Sequence, residues 1–146
     1  MIVWIEKALA LAIHERQIAE HGGGVGVRDD SLLESALARP QQTYAYGAPP
    51  PDLADLAATL AYGLACNDPF VDGNKRTAYV ACRTFLLLNG MDIVAPVEDR
   101  YTTMLALAEG HLTADAFAAW LRPRCVAQPA RPGNVQEPRP GYRTAR

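Results

Sequence analysis

Two segments with strong helical periodicity are joined by the stretch Asp68-Pro69-Phe70-Val71-Asp72-Gly73-Asn74-Lys75-Arg76. The first backbone N–H groups of a helix have no partner within it and carry the positive end of its dipole, so they bind anions. Gly73 lets a ligand approach the backbone, and Lys75 and Arg76 add two cations. Asp72 supplies an oxygen ligand of the kind that Mg²⁺ takes beside substrate phosphates. The stretch therefore predicts a site for phosphate and Mg²⁺.

The same residues also fit a simpler interpretation. Asp-Gly-Asn is a common turn, and Asp72 could act only as a helix cap. Lys75 and Arg76 would then be solvated surface residues. Because short loops match such patterns by chance, the residues alone leave both interpretations open.

Periodicity on either side of this stretch predicts a single all-α domain. Asp52 is expected to cap a helix with a continuous apolar stripe, and a second helix is expected over residues 74–89, ended by Gly90. The other expected elements are a helix over 4–21 stopped by glycines 22–24, a helix from a Ser31–Glu34 capping box to Pro40, a loop over 41–51, an extended piece over 91–94, and helices over 98–108 and 114–121.

The helix over 4–21 is expected to bury one face. Helical spacing assigns His14 and His21 to its polar side. The apolar face is expected to carry Ile5, Ala8, Leu9, Ala12 and Ile13.

Composition narrows the class of protein. The 146 residues, 49% of them hydrophobic, suit one domain, and a net charge of -2 gives no overall footprint for nucleic acid. The three cysteines Cys66, Cys82 and Cys125 have neither disulfide-framework nor zinc spacing. No apolar run reaches membrane-spanning length, so we expect a soluble cytoplasmic protein.

The C-terminal segment differs in composition from the rest of the chain. From Arg122 onward there are six arginines against one acid, Glu137, with five prolines and few large apolar residues. Such a segment buries too little surface to offset its ordering entropy. We therefore predict a folded domain over 1–122 and a disordered tail over 123–146. The alternative is a short partner-binding segment, and a role in nucleic-acid binding would rest on the arginines of this tail alone.

The stretch over residues 68–76 resembles the Fic/Doc family signature H-x-F-x-(D/E)-(G/A)-N-(K/G)-R at eight of its nine positions, counting the free ones. Residues 23–41 and 85–90 resemble the Doc-like toxin branch of that family. The resemblance covers about residues 1–122. It implies an all-helical bundle with a short extended flap.

The resemblance also implies roles for the loop residues. Asp72 would bind Mg²⁺, Gly73 and Asn74 would form the anion-binding turn, and Arg76 would hold the phosphates of ATP. Lys75 stands where nucleotidyl-transferring relatives have Gly. In Doc-like toxins this Lys goes with transfer of the γ-phosphate of ATP to a threonine of elongation factor Tu, which halts translation.

A target-docking flap is implied over the loop that follows Pro40. Gln41, Gln42, Thr43 and Tyr44 fall where the family docks its protein target as an added strand. The alternative is an ordinary surface loop whose tyrosines pack on the core.

Asp68 departs from the signature, which has a catalytic His at this position. The His takes the proton from the attacking hydroxyl. Aspartate is the base in protein kinases, but it is shorter than His and adds a negative charge near Asp72 and the phosphates. At 4 Å and an effective dielectric of about 20, two such charges repel by about 4 kcal/mol. Since loss of a general base costs about 10²–10⁴ in rate, we expect an inactive or nearly inactive chain.

Two explanations of Asp68 remain open. The residue could have been changed deliberately, because an active toxin harms its host, or the chain could be a natural pseudoenzyme that binds a nucleotide or a partner. Retention of the other motif residues favours the first explanation. The remaining alternatives are a Fic-type AMP transferase and a non-catalytic binding module.

Regulation is expected to come from a second chain. Some Fic proteins silence themselves with a helix resembling (S/T)-x-x-x-E-(G/N). Here Glu109-Gly110 is preceded four residues earlier by Leu105, so this brake is not encoded. The resemblance therefore implies a separate antitoxin protein.

Overall fold

The computed structural model describes residues 1–128, which form six α-helices and a small antiparallel sheet of two strands. Strand β1 (Met91–Ile93) pairs with β2 (Cys125–Ala127), which follows a 3₁₀ turn over Arg122–Arg124. The predicted all-helical bundle is confirmed. Its helices are α1 (Lys7–His21), α2 (Asp30–Tyr46), α3 (Leu53–Asn67), α4 (Asn74–Leu88), α5 (Val97–Ala108) and α6 (Ala114–Leu121).

Helix α3 forms the centre of the bundle and packs against α2, α4, α5 and α6. The predicted cap at Asp52 is confirmed: its carboxylate accepts the Asp55 N–H, and the Asp55 carboxylate accepts the Asp52 N–H. Gly63 allows α2 to come close, because a Cβ there would lie 3.0 Å from the Cβ of Ala36. These contacts fix the position of α3, and its C-terminus leads directly into the loop before α4.

Helix α1 begins later than predicted. Residues before Lys7 are not helical, and the backbone N–H and C=O of Val3 both pair with the side-chain amide of Asn89. The N-terminal segment is thereby attached to the end of α4. A side chain so distant in sequence leaves no local signal.

The face that α1 buries is also different from the predicted one. Ala8 and Ala12 are exposed, whereas His14 is only 3% exposed. The assignment of His14 to a polar face is therefore wrong. The buried residues of α1 are Ala10, Ile13, His14, Gln17 and Ile18.

Helix α2 is capped by Asp29 rather than by the predicted Ser31–Glu34 box. The Asp29 carboxylate accepts the Leu32 N–H at 3.0 Å. The carboxylate of Glu34 instead pairs with Lys7 of α1, at 3.0 Å.

Helix α2 also continues past Pro40 to Tyr46, so its predicted end is wrong. A proline inside a helix costs about 3 kcal/mol. Pro40 is buried, and packing there compensates for the missing hydrogen bond.

The loop predicted over 41–51 is consequently wrong for residues 41–46, which are helical. Gln41, Gln42, Thr43 and Tyr44 belong to the last turns of α2 and offer no strand edge in this conformation. Tyr44 makes an edge contact with Trp4, their ring centroids 5.7 Å apart.

Residues 123–127, assigned to the tail from composition, are part of the fold. Besides the β1–β2 pairing, the Val94 N–H donates to the Arg124 carbonyl, and the Gln128 N–H donates to the Gly90 carbonyl, both at 2.8 Å. The boundary after residue 122 was therefore placed too early. The remainder of the predicted tail, 129–146, lies outside the described residues.

The other predicted elements agree with the structure. The extended piece after Gly90 is β1, and the helices predicted over 98–108 and 114–121 are α5 and α6, the latter capped by the Thr113 hydroxyl. Among the helices of residues 1–128, none combines the length and apolar character needed to cross a membrane.

Candidate active site

A cavity of about 970 Å³ opens at the N-terminus of α4, a size in the range of small-molecule sites. The loop between α3 and α4 forms one wall, and α5 forms another. The cavity brings together the six loop residues singled out from the sequence. They are Asp68, Asp72, Gly73, Asn74, Lys75 and Arg76.

The N-terminus of α4 presents unpaired donors to this cavity. Gly73 is the N-cap, with φ +75 and no capping side chain, and the Thr77 N–H is the one that returns to its carbonyl. The N–H groups of residues 74–76 therefore have no partner within the helix. Lys75 and Arg76 are exposed, and neither forms an ion pair within residues 1–128. The result is a positive helix end suited to phosphate.

Asn74 closes the loop with its side chain. The amide nitrogen donates to the Phe70 carbonyl at 3.0 Å, and the amide oxygen accepts the Phe70 N–H at 2.9 Å. Asn74 therefore shapes the predicted anion-binding turn with its side chain, while its backbone N–H remains at the helix start.

Asp72 is held by backbone donors on two sides. Its carboxylate accepts the Gly24 N–H at 3.2 Å and the Gly73 N–H at 2.9 Å. These two hydrogen bonds lower the pKa of Asp72, with smaller contributions from the charges of Arg76 and His14. The carboxylate is therefore ionised at neutral pH and keeps lone pairs available for a cation.

The donor set suits Mg²⁺ shared with phosphates. No group of three or more His, Cys, Asp or Glu that could hold a metal occurs among the described residues. The Asp72 carboxylate alone could supply one oxygen ligand of the kind that Mg²⁺ takes beside phosphates and water.

The glycine run after α1 packs directly on the loop. Gly23 has φ +120, and a Cβ there would lie 2.8 Å from the Asp72 carboxylate. A Cβ on Gly24 would lie 2.8 Å from the side chain of Val71. From the sequence these glycines were predicted to end the first helix, which Gly22 does. Their close approach to Asp72 was missed because the partner lies 48 residues away.

His14 also contributes to the site and was missed. Its ring stacks on Phe70 with centroids 3.9 Å apart and an interplanar angle of 5°. Its Nε2 lies 2.8 Å from the carbonyl oxygen of Asp72. Since a carbonyl only accepts, Nε2 carries the proton. His14 lies four residues after Ala10 on the buried face of α1, a face that the apolar residues of the sequence alone did not indicate.

Asp68 ends α3 in the left-handed conformation, with φ 48 and ψ 55. Its carbonyl accepts a hydrogen bond from Arg28 Nε at 2.7 Å, and Arg28 Nη2 donates to the Asn67 carbonyl at 2.8 Å. The Asp68 side chain is exposed and lines the cavity. Arg28 therefore fixes the backbone here independently of which side chain position 68 carries.

A helical bundle with a positive helix end, one ionised carboxylate and a cavity beside them has features suited to an anion such as phosphate. Residues 4–86 match the Fic/DOC family, and the chain belongs to it. It is 52% identical over 75 residues to "Toxin Doc" of Mycolicibacterium smegmatis, covering 51% of this chain and 57% of that protein. It is 32% identical over 112 residues to "Protein kinase doc" of Escherichia phage P1, covering 77% and 87%.

These similarities confirm the predicted place in the Doc toxin branch. The chain spans a little over half of the length of the mycobacterial relative and most of the phage protein. The family match includes the whole loop from Asp68 to Arg76.

Proposed function

We propose that this chain is a Doc-like toxin of a toxin–antitoxin pair that binds ATP and Mg²⁺ at the start of α4. Its reaction is transfer of the γ-phosphate to a Thr or Ser hydroxyl of a translation factor resembling elongation factor Tu, and Asp68 abolishes or nearly abolishes that transfer. The observation that carries the proposal is the convergence of a free helix N-terminus, Arg76 and ionised Asp72 on one cavity lined by Asp68.

Binding is assigned to residues that the fold already positions. The N–H groups of residues 74–76 and the Lys75 and Arg76 side chains hold phosphate oxygens, and Asp72 holds the metal ion. When bound, ATP supplies the phosphoryl group, and Mg²⁺ offsets negative charge on the phosphates. Asn74 and His14 keep the loop in shape, so little reorganisation is needed on binding.

The missing element is a neutral proton acceptor beside the phosphates. The Asp68 carboxylate forms no hydrogen bond or ion pair with other described residues, and it has the same sign of charge as the nucleotide. A neutral imidazole at this position would accept a proton without that repulsion. Both Asp and His are tolerated in the left-handed conformation, so the backbone suits either.

Control by a separate antitoxin follows from the relatives. One of them is named a toxin. Glu109 does line the cavity from the end of α5, but the sequence before it lacks the inhibitory pattern. Because the proposed target takes part in translation, we expect the proposed activity to occur in the cytoplasm.

Expression in a host without the antitoxin tests the proposal. The chain as it stands should be tolerated, whereas Asp68→His should arrest growth, and Asp68→His with Arg76→Ala should be tolerated again. Extracts treated with the Asp68→His protein should take up label from γ-labelled ATP and not from α-labelled ATP.

The label also decides between the alternatives. Uptake from α-labelled ATP would identify an AMP transferase and overturn the kinase assignment. If Asp68→His gives neither label nor arrest, the chain is a non-catalytic binding module.

A further inference from the structure

Arg100 reaches the cavity from α5, away from the loop that carries the family signature. It is half-buried, and its Nη1 donates to the Tyr79 hydroxyl at 3.0 Å. The guanidinium also lies over the Tyr79 ring, 5.7 Å from the ring centroid. Tyr79 is three residues after Arg76, on the same side of α4, and both residues line the cavity together with Arg100.

No carboxylate forms an ion pair with Arg100 within the described residues. The nearby Asp92 is engaged by Arg83 through two hydrogen bonds of 2.8 and 3.0 Å. Of the five N–H donors of Arg100, Tyr79 takes one. A half-buried guanidinium that forms no ion pair and keeps most of its donors available favours an anionic ligand.

We infer that Arg100 binds the polyphosphate chain of the nucleotide, at a phosphate other than the one held by the α4 N-terminus. The inference rests on the proposed ATP site and extends it to a second helix. Phosphate is the chemistry indicated, because a guanidinium presents paired donors that match two phosphate oxygens. Tyr79 holds the group in place before the ligand arrives, which reduces the ordering cost of binding.

Two consequences follow from this role, and the second separates it from general charge attraction. Affinity for Mg²⁺-ATP and for inorganic tripolyphosphate should both depend on Arg100, whereas affinity for adenosine should not. Tyr79 should matter through its hydroxyl, since that group orients the guanidinium.

Calorimetric titration of the full chain with Mg²⁺-ATP and with tripolyphosphate tests the inference. Arg100→Gln should weaken both by at least about tenfold, the effect of losing one charge-assisted hydrogen bond. Tyr79→Phe should weaken both by a smaller factor. The control is Arg39→Gln, which removes the same charge from the exposed surface of α2, and it should bind like the parent chain.

The outcomes are distinguishable from failure of the proposed function. If the parent chain binds both ligands and Arg100→Gln binds them equally well while melting normally, the inference is overturned and the ATP site stands. If the parent chain binds neither ligand, the ATP site fails and the role of Arg100 fails with it.

Discussion

The Nε2 atom of His14 donates a hydrogen bond of 2.8 Å to the carbonyl oxygen of Asp72, 58 residues along the chain. The same ring stacks on Phe70. One buried side chain of α1 thus contacts two residues of the loop that leads into α4. This contact holds the backbone at Asp72, whose carboxylate is bound separately by the N–H groups of Gly24 and Gly73.

Replacing His14 with Phe should keep the stacked ring and remove the hydrogen bond. We expect a loss of about 0.5–1.5 kcal/mol in unfolding free energy and weaker binding of Mg²⁺-ATP, because the loop loses one of its attachments. Titration with ATP and denaturant unfolding measure the two effects. His111→Phe changes an exposed histidine and serves as the control. Unchanged ATP binding in His14→Phe would mean that the ring only fills space.

Alanine substitutions at Gly23 and Gly26 form a matched pair that tests the contact between the glycine-rich segment and Asp72. Both have positive φ, +120 and +99, but only Gly23 has Asp72 within reach of an added Cβ. Alanine at either position should destabilise the fold through backbone strain. Gly23→Ala should in addition weaken ATP binding, since it displaces the Asp72 carboxylate. Equal ATP affinities for the two variants would contradict the assigned contact.

The ion pairs that Arg122 forms with Asp52 and Asp55 should stabilise the fold in a pH-dependent way. The Arg122 guanidinium lies 2.7 Å from both carboxylates. Its hydrogen bond to Asp52 is the main cause that lowers the pKa of Asp52 from 3.8 to about 2. A lowered folded-state pKa contributes stability that is present above pH 3.8 and lost as the pH falls toward 2.

Arg122→Gln should therefore unfold more easily than the parent chain at neutral pH, and the difference should shrink below pH 3.8. Denaturant unfolding across that pH range measures it, with Arg39→Gln as the control for a lost surface charge. A difference that stays constant down to pH 2 would show that Arg122 acts through packing and not through Asp52.

Two truncations test the revised end of the fold. A chain ending at Arg124 loses β2 and the hydrogen bond from Gln128 to Gly90, so its melting temperature should fall by several degrees. A chain ending at Gln128 should melt like the full chain, because residues 129–146 offer few large apolar side chains. Equal melting of the two truncated chains would contradict a stabilising role for β2.

Most of the fold could be predicted because its signals are local. The Asp52 cap, the stripe of α3, Gly90 after α4 and the loop before Arg76 depend on neighbouring residues, and the structure has each of them. The errors arose where contacts between residues far apart in the sequence determine the local structure. Pro40 stays helical through its burial, and β2 forms through backbone pairing with β1.

The candidate site shows the same division. The loop from Asp68 to Arg76 is contiguous, so its signature could be read directly. His14, Arg28 and Arg100 come from other helices and loops and meet the site only after folding. None of them stands at a spacing that indicates a ligand.

The most direct test uses purified parent chain and purified Asp68→His with γ-labelled ATP, Mg²⁺ and elongation factor Tu. Because the phosphate site is intact and only the proton acceptor is absent, we expect Asp68→His to label a Thr or Ser of the factor. The parent chain should bind ATP but transfer little or no phosphate. The parent should be slower by about 10²–10⁴, the contribution of a general base. Transfer by the parent at a rate close to that of Asp68→His would contradict the proposal that Asp68 disables the site.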